Sequence, residues 1–111
     1  MSTPPRQWTK KEFLTYLLLY AAHADIFLCS SESNYTMIYL EGGRKKLISR
    51  TLKDVEQWLQ GRGFYRAHNS HLVNLSHIKE YVRTEGGYLL LSDGRTLPVA
   101  RNRKEELLKL L

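Results

Sequence analysis

The spacing of hydrophobic and polar positions changes once along the chain. From Lys10 to about Ala22 the apolar residues run at helical spacing, and the start is written in Trp8-Thr9-Lys10-Lys11-Glu12-Phe13. Thr9 is placed to cap the amide of Glu12, Glu12 to return the bond, and Trp8 to staple onto Phe13. Phe13, Leu14, Tyr16, Leu17, Leu18, Leu19 and Tyr20 occupy nearly the whole circumference. A helix apolar all round needs cover on more than one side, which its own domain and a second copy of the chain would supply. Residues 1–24 therefore read as a tail and an apolar helix, with homodimer formation through residues 10–22 as the expected use.

After Asp25 the pattern shortens to β runs separated by turn residues. Ile26–Cys29 and Tyr35–Leu40 are predicted strands around a polar loop, Ser30 to Asn34. Glu41-Gly42-Gly43-Arg44 turns into a strand over Lys45–Ser49. Thr51 then caps a helix, with Asp54 as its partner; Leu52, Val55, Trp58 and Leu59 share one face, and Gly61 ends it. Ile78–Thr84, Tyr88–Ser92 and Arg95–Val99 form two hairpins through Gly86-Gly87 and Asp93-Gly94. RNRKEELLKLL closes the chain as a helix whose basic first turn opposes the helix dipole, a hint that Arg101, Arg103 and Lys104 serve something other than stability. Connections this short make the sheets antiparallel. The expected fold is mainly β with short helices: small antiparallel sheets over residues 25–111, plus the N-terminal helix.

A chain of 111 residues suits one core, and the lone Cys29 cannot form an intrachain disulfide, which fits a reducing cytoplasm. Lys10 and Lys11, the apolar run and Ala22-His23-Ala24 also resemble an export signal, but Glu12 abuts that run and two tyrosines and a threonine dilute it. The run falls short of the roughly 20 residues that cross a membrane. Charge adds more. Residues 44–111 carry 14 basic and 7 acidic side chains, against 3 and 4 in residues 1–43. A basic surface of this kind attracts polyanions, although net charge also serves solubility.

Catalysis and cofactors find no support in the sequence. His68-x-x-His71 is accompanied by no cysteine or acidic cluster, and residues three apart on one strand face opposite sides. The Gly-Gly pairs read as hairpin turns, and no serine sits in a nucleophile elbow.

The unusual stretch is FYRAHNSHLVNL, Phe64 to Leu75, apolar at both ends and polar in the middle. If Phe64–Arg66 ends one strand and Leu72–Leu75 begins another, Ala67–His71 is a connection pointing outward from a rigid base. Asn69 there suits the N6 and N7 edge of adenine, and Arg66 suits phosphate or guanine. The plainer reading, in which His68 and Ser70 satisfy backbone groups of a tight turn, is favoured for those two, and Asn74 is expected to make a structural hydrogen bond.

FYRAHNSHLVNL, LSDGRTLPVARNRKEELLKLL, DIFLCSSESNYTMIYL and TLKDVEQWL together resemble the LytTR DNA-binding domain of bacterial transcriptional regulators over about residues 25–111. The most specific parts are F-x-R-x-H-x-S-x-L-V-N at Phe64–Asn74 and L-P-V-x-R at Leu97–Arg101. The resemblance implies sequence-specific binding of double-stranded DNA in transcription, with no catalysis, through loops that enter successive major grooves and bend the DNA between them. By position it implies base contacts from Asn34 or Tyr35, from Asn69 and from Arg101. Arg66, Arg103 and Lys104, and with less support Lys45, Lys46 and Arg50, would hold phosphates. Relatives commonly follow a receiver domain or a membrane segment, whereas this sequence shows only the apolar helix. Ala100 and Asn102 stand where Ser and a basic residue are expected. Two other readings compete: a protein-interaction module that has lost DNA binding, and single-stranded RNA binding on Tyr35, Tyr39, Tyr81 and Tyr88.

Overall fold

The computed structural model describes residues 8–20, 25–84 and 86–111. Helix α1 spans Lys10–Tyr20, and the anticipated capping box is formed: Thr9 N–H donates to Glu12 Oε1 at 3.3 Å and Glu12 N–H to Thr9 Oγ1 at 3.1 Å. The expected continuation to Ala22 lies outside the described residues. Trp8 packs edge-on against Tyr16, ring centroids 5.3 Å apart, and on the core cluster that holds Phe13, whose ring meets Trp58 of the second helix at 5.4 Å.

Eight strands follow: β1 Ile26–Glu32, β2 Tyr35–Leu40, β3 Lys45–Ile48, β4 Phe64–His68, β5 His71–Asn74, β6 Ile78–Val82, β7 Tyr88–Leu91 and β8 Thr96–Pro98. Helix α2, Leu52–Trp58, lies between β3 and β4, and Thr51 accepts the N–H of Asp54 at 3.2 Å as its cap. Helix α3, Lys104–Leu110, ends the chain. All pairings are antiparallel, in a five-stranded sheet ordered β3-β2-β1-β5-β4 and a three-stranded sheet ordered β6-β7-β8.

Three layers result. On one face of the large sheet, Phe13 and Leu17 of α1 and Leu52 and Val55 of α2, with Leu59 just beyond it, join Ile26, Cys29, Ile38, Leu40, Ile48 and Leu72 in one core. On the other face, Phe27, Leu28, Tyr65, Ala67 and Val73 meet Leu89, Leu91, Leu97 and Val99, with Leu107 of α3. The central strand β1 is therefore buried on both sides, which is why its first four residues are all apolar. A register shift between Ile26 and Leu28 sends the adjacent Phe27 and Leu28 into the same core.

Asn74 joins the two hairpin systems. It is buried, donates from Nδ2 to the Ile26 carbonyl at 2.8 Å, and accepts at Oδ1 from the N–H and Oγ of Ser76. The structural role expected of it is the observed one. No helix among the described residues is long and apolar enough to cross a membrane.

Several sequence expectations change. Ser30, Ser31 and Glu32 belong to β1, so the polar loop contracts to a two-residue turn, Ser33 and Asn34. Likewise Ala67 and His68 belong to β4 and His71 to β5, leaving Asn69 and Ser70 as the whole connection. Tight turns let ladder hydrogen bonds form almost to the tip, where polar composition alone had suggested loop. His68 and His71 are consequently cross-strand partners with ring centroids 5.4 Å apart, not residues on opposite faces of one strand. At the C-terminus, Arg101–Arg103 form a separate 3-10 turn, and the first turn of α3 carries Glu105 and Glu106, the sign its dipole favours.

Candidate nucleic-acid interface

The order of the large sheet brings two hairpin tips to one end. β1 runs toward Ser33-Asn34 and β5 runs away from Asn69-Ser70, and their pairing sets Ser30 opposite His71. One step further, Ser31 N–H donates to the Ser70 carbonyl at 3.0 Å, which ties tip to tip. A third segment arrives beside the same end of β4: Ala100 N–H donates to the Ala67 carbonyl at 2.8 Å, and Arg101 follows directly. The Tyr65 hydroxyl donates to the Arg103 carbonyl at 3.2 Å, so the 3-10 turn is pinned on both sides of Arg101 and Asn102. Asn34 with Tyr35, Asn69 and Arg101, three places far apart in sequence, thus share one end of the sheet. Asn34, Asn69 and Arg101 are exposed and Tyr35 is half-buried.

Turn 69–70 is braced from every side. Ser70 N–H donates to His68 Nδ1 at 3.1 Å, which makes that ring nitrogen an acceptor. Arg66 donates from Nη2 to the Asn69 carbonyl at 2.6 Å and from Nε toward the His68 and Asn69 carbonyls at 3.2 Å. Its Nη1 meets Glu56 of α2 at 2.8 Å. The Asn69 side chain itself has no hydrogen-bond partner among the described residues.

The basic residues divide into two groups. Arg50 turns inward: its Nε donates to the Trp8 carbonyl, its Nη1 lies 3.5 Å from Asp54, and its guanidinium sits 5.5 Å from the Trp58 ring centroid. Lys46 Nζ lies 5.5 Å from the Trp8 ring centroid and 6.0 Å from that of Tyr16, holding the start of α1 against β3. Lys45 is exposed but pairs with Tyr39, and so belongs to the end of β3 remote from the tips. Arg101 is exposed and Arg103 and Lys104 are half-buried, all beside the tips or leading away from them into α3.

Burial, with His68 adding to it, lowers the pKa of His71, whose Nδ1 lies 3.1 Å from Ser30 Oγ. Burial and then Glu106 raise the Tyr65 phenol, which keeps its hydroxyl a donor. Cys29, fully buried, has its thiol pushed well up and is inert. No group of three or more His, Cys, Asp and Glu side chains converges among the described residues. Of the four tyrosines considered for RNA stacking, Tyr39 is covered by the Arg95 guanidinium at 4.2 Å, and Tyr39 and Tyr81 pack on the second core.

Three contributors escaped sequence reading. Glu56 and Tyr65 act on the turns from other elements, and Arg95, bridged to Asp93 at 3.0 Å, lines a cleft with Ser30, Tyr39 and His71. Only tertiary pairing brings them there, and nothing local in the sequence signals it.

A search of the solved structures finds the LytTr DNA-binding domain of a Bacillus cereus protein described as a methyl-accepting/DNA response regulator, with a TM-score of 0.69 and 24% identity over 78% of this chain and 81% of that one. No curated protein matches. The sequence model of the LytTr DNA-binding domain covers residues 16–111. That match begins within α1 and takes in both sheets, both braced tips and the Arg101 turn, so the chain belongs to the LytTR DNA-binding domain family.

Proposed function

We propose that this DNA-binding domain recognises duplex DNA sequence-specifically in transcriptional regulation, by presenting the Ser33-Asn34 tip, the Asn69-Ser70 tip and the Arg101 turn to base edges. The observation that carries the reading is that three exposed side chains, Asn34, Asn69 and Arg101, share one end of the sheet on backbone held by hydrogen bonds. Preorganised polar groups of this kind lose little entropy on binding. Asn69 suits the N6 and N7 edge of adenine and Arg101 the O6 and N7 edge of guanine. Tyr35, at the start of β2, flanks the first tip as a further base contact. Arg103 and Lys104 hold phosphate beside Arg101.

Entry into successive major grooves with bending between them has a geometric argument. From the first tip to the Arg101 turn the sheet edge crosses β1, β5 and β4, about 15 Å at the usual strand spacing. Equivalent points in successive major grooves of straight DNA lie about 34 Å apart. Curvature of the duplex toward the protein narrows that gap and so favours contact in successive grooves.

Self-association through residues 10–22 is a separate element of the proposal. Phe13 and Leu17 are committed to the domain core, while Leu14 lines an outward depression with Lys10, Lys11 and Thr15. A monomeric mass by sedimentation at micromolar concentration removes it.

The test is selection of a preferred duplex from a random pool, followed by anisotropy titration against scrambled competitor and gel mobility of circularly permuted probes. Retention against competitor with position-dependent mobility is expected. No enrichment over the starting pool, with only salt-sensitive general binding, overturns specificity; uniform mobility overturns bending.

A further inference from the structure

We propose that Arg66 is a positioning residue for Asn69 and not a phosphate contact, and that Glu56 completes the device by holding Arg66 from α2. The inference rests on Asn69 reading a base, and it assigns how that reading is made accurate.

The chemistry of the guanidinium decides the role. Three of its nitrogens are engaged at once: Nη1 with Glu56 at 2.8 Å, Nη2 with the Asn69 carbonyl at 2.6 Å, and Nε with the carbonyls of His68 and Asn69 at 3.2 Å. Only a planar fork reaches these groups from one side chain, and an ammonium on a flexible stem does not. The Arg66 side chain is 19% exposed, so it offers little surface to a phosphate. Its charge is also largely spoken for, since a carboxylate 2.8 Å away cancels most of its field at the distances where DNA is first felt.

What the fork grips is the backbone of the residue whose side chain does the reading. A fixed Asn69 carbonyl, with Ser70 N–H on the His68 ring and the Ser70 carbonyl on Ser31, fixes the direction in which the Asn69 side chain leaves the backbone. Turn 33–34 has no comparable side-chain fork among the described residues. The two tips therefore differ: one is rigid through Arg66, the other follows it through the Ser31 to Ser70 bond.

The experiment uses the full chain, a labelled duplex selected with the wild-type protein, and a scrambled duplex of equal length, titrated by anisotropy over a range of salt. Arg66→Ala should weaken binding to the selected duplex by roughly tenfold, toward the low end for loss of a bidentate base contact. It should leave the scrambled duplex within about twofold and the salt slope unchanged, whereas loss of a phosphate contact lowers the slope by about one. Arg66→Lys should not restore discrimination, Glu56→Gln should reproduce part of the loss, and Arg66→Ala should add nothing in an Asn69→Ala background. In the free protein, 15N relaxation should show Asn69 loosened in Arg66→Ala while core amides stay fixed; if that variant does not fold, the Lys and Gln variants carry the same comparisons. Equal loss on both duplexes with a shallower slope, rescue by lysine, or additivity with Asn69→Ala overturns the inference. Should Asn69→Ala itself leave discrimination intact, the reading of Asn69 falls and this inference with it; loss in Asn69→Ala alone removes only the role of Arg66.

Discussion

Ser31 and Ser70 are joined by one backbone hydrogen bond of 3.0 Å, and through it two hairpins distant in sequence end in a single surface. β1 and β5 are neighbours in the sheet, so the bond continues their ladder beyond the last paired residues, Ser30 and His71. The geometry of one tip is thus tied to that of the other.

Ser33 holds the first tip with φ at 58°, a left-handed conformation that costs most residues about 1–2 kcal/mol. Ser33→Gly should be neutral or slightly stabilising, and Ser33→Val should destabilise by about 1–2 kcal/mol and weaken binding to the selected duplex. Urea unfolding monitored by circular dichroism measures both; a Val variant as stable as wild type would show that the turn relaxes to another conformation.

The two ends of the large sheet make a contrast. Arg101 stands at the tip end, whereas Lys45 pairs with Tyr39 at the remote end. Arg101→Ala should cost about 1–3 kcal/mol on the selected duplex and far less on scrambled DNA. Lys45→Ala should change neither by more than about 0.5 kcal/mol. A larger effect from Lys45 would place DNA across the opposite end of the sheet.

Asn74 should matter to stability and not to discrimination. Its removal leaves the Ile26 carbonyl without its buried donor, which costs about 1–3 kcal/mol. Asn74→Ala should therefore shift the urea midpoint while the ratio of affinities for selected and scrambled duplexes stays constant. A changed ratio at unchanged stability would mean that Asn74 has a role at the interface.

Local chemistry made much of this fold legible. Thr9 with Glu12, the Thr51 cap and the alternation of β2 were each specified within a few residues and formed as read, although the Asp54 carboxylate meets Arg50 and returns no bond to Thr51. The lengths of β1 and β4 were not legible, because Ser30, Ser31 and His68 become strand through pairing with β2 and β5, which no local pattern records. The candidate site divides in the same way. Exposed Asn34, Asn69 and Arg101 followed from motif position, but the engagement of Arg66, Arg50 and Lys46 needed Glu56, Asp54 and Trp8 to be brought to them in space.

His71 makes stability depend on pH. Burial, then His68, lowers its pKa in the fold, while in the unfolded chain it titrates near 6.5. The unfolded state therefore takes up the proton first on acidification. The contribution is complete above about pH 6.5 and is lost as pH falls from there through the folded value. Melting temperatures at about pH 7.5 and pH 5.5 should differ more for the wild type than for His71→Gln. Equal differences would show that another group carries the dependence.

Tyr65 offers the finest test of the interface, because one oxygen atom can be removed with the ring left in the core. The ring is buried against the second core cluster, and its hydroxyl donates to the Arg103 carbonyl at 3.2 Å. On the other side of Arg101, the bond from Ala100 to Ala67 is untouched by the change. Tyr65→Phe should cost about 0.5–1.5 kcal/mol of stability, the net worth of one such hydrogen bond. It should also free one side of the turn, so discrimination should fall at the base pair that Arg101 contacts and hold at the one Asn69 contacts. Affinities for duplexes singly substituted at each position separate the two. A uniform loss across all positions would mean that the hydroxyl supports the fold without setting the direction of Arg101.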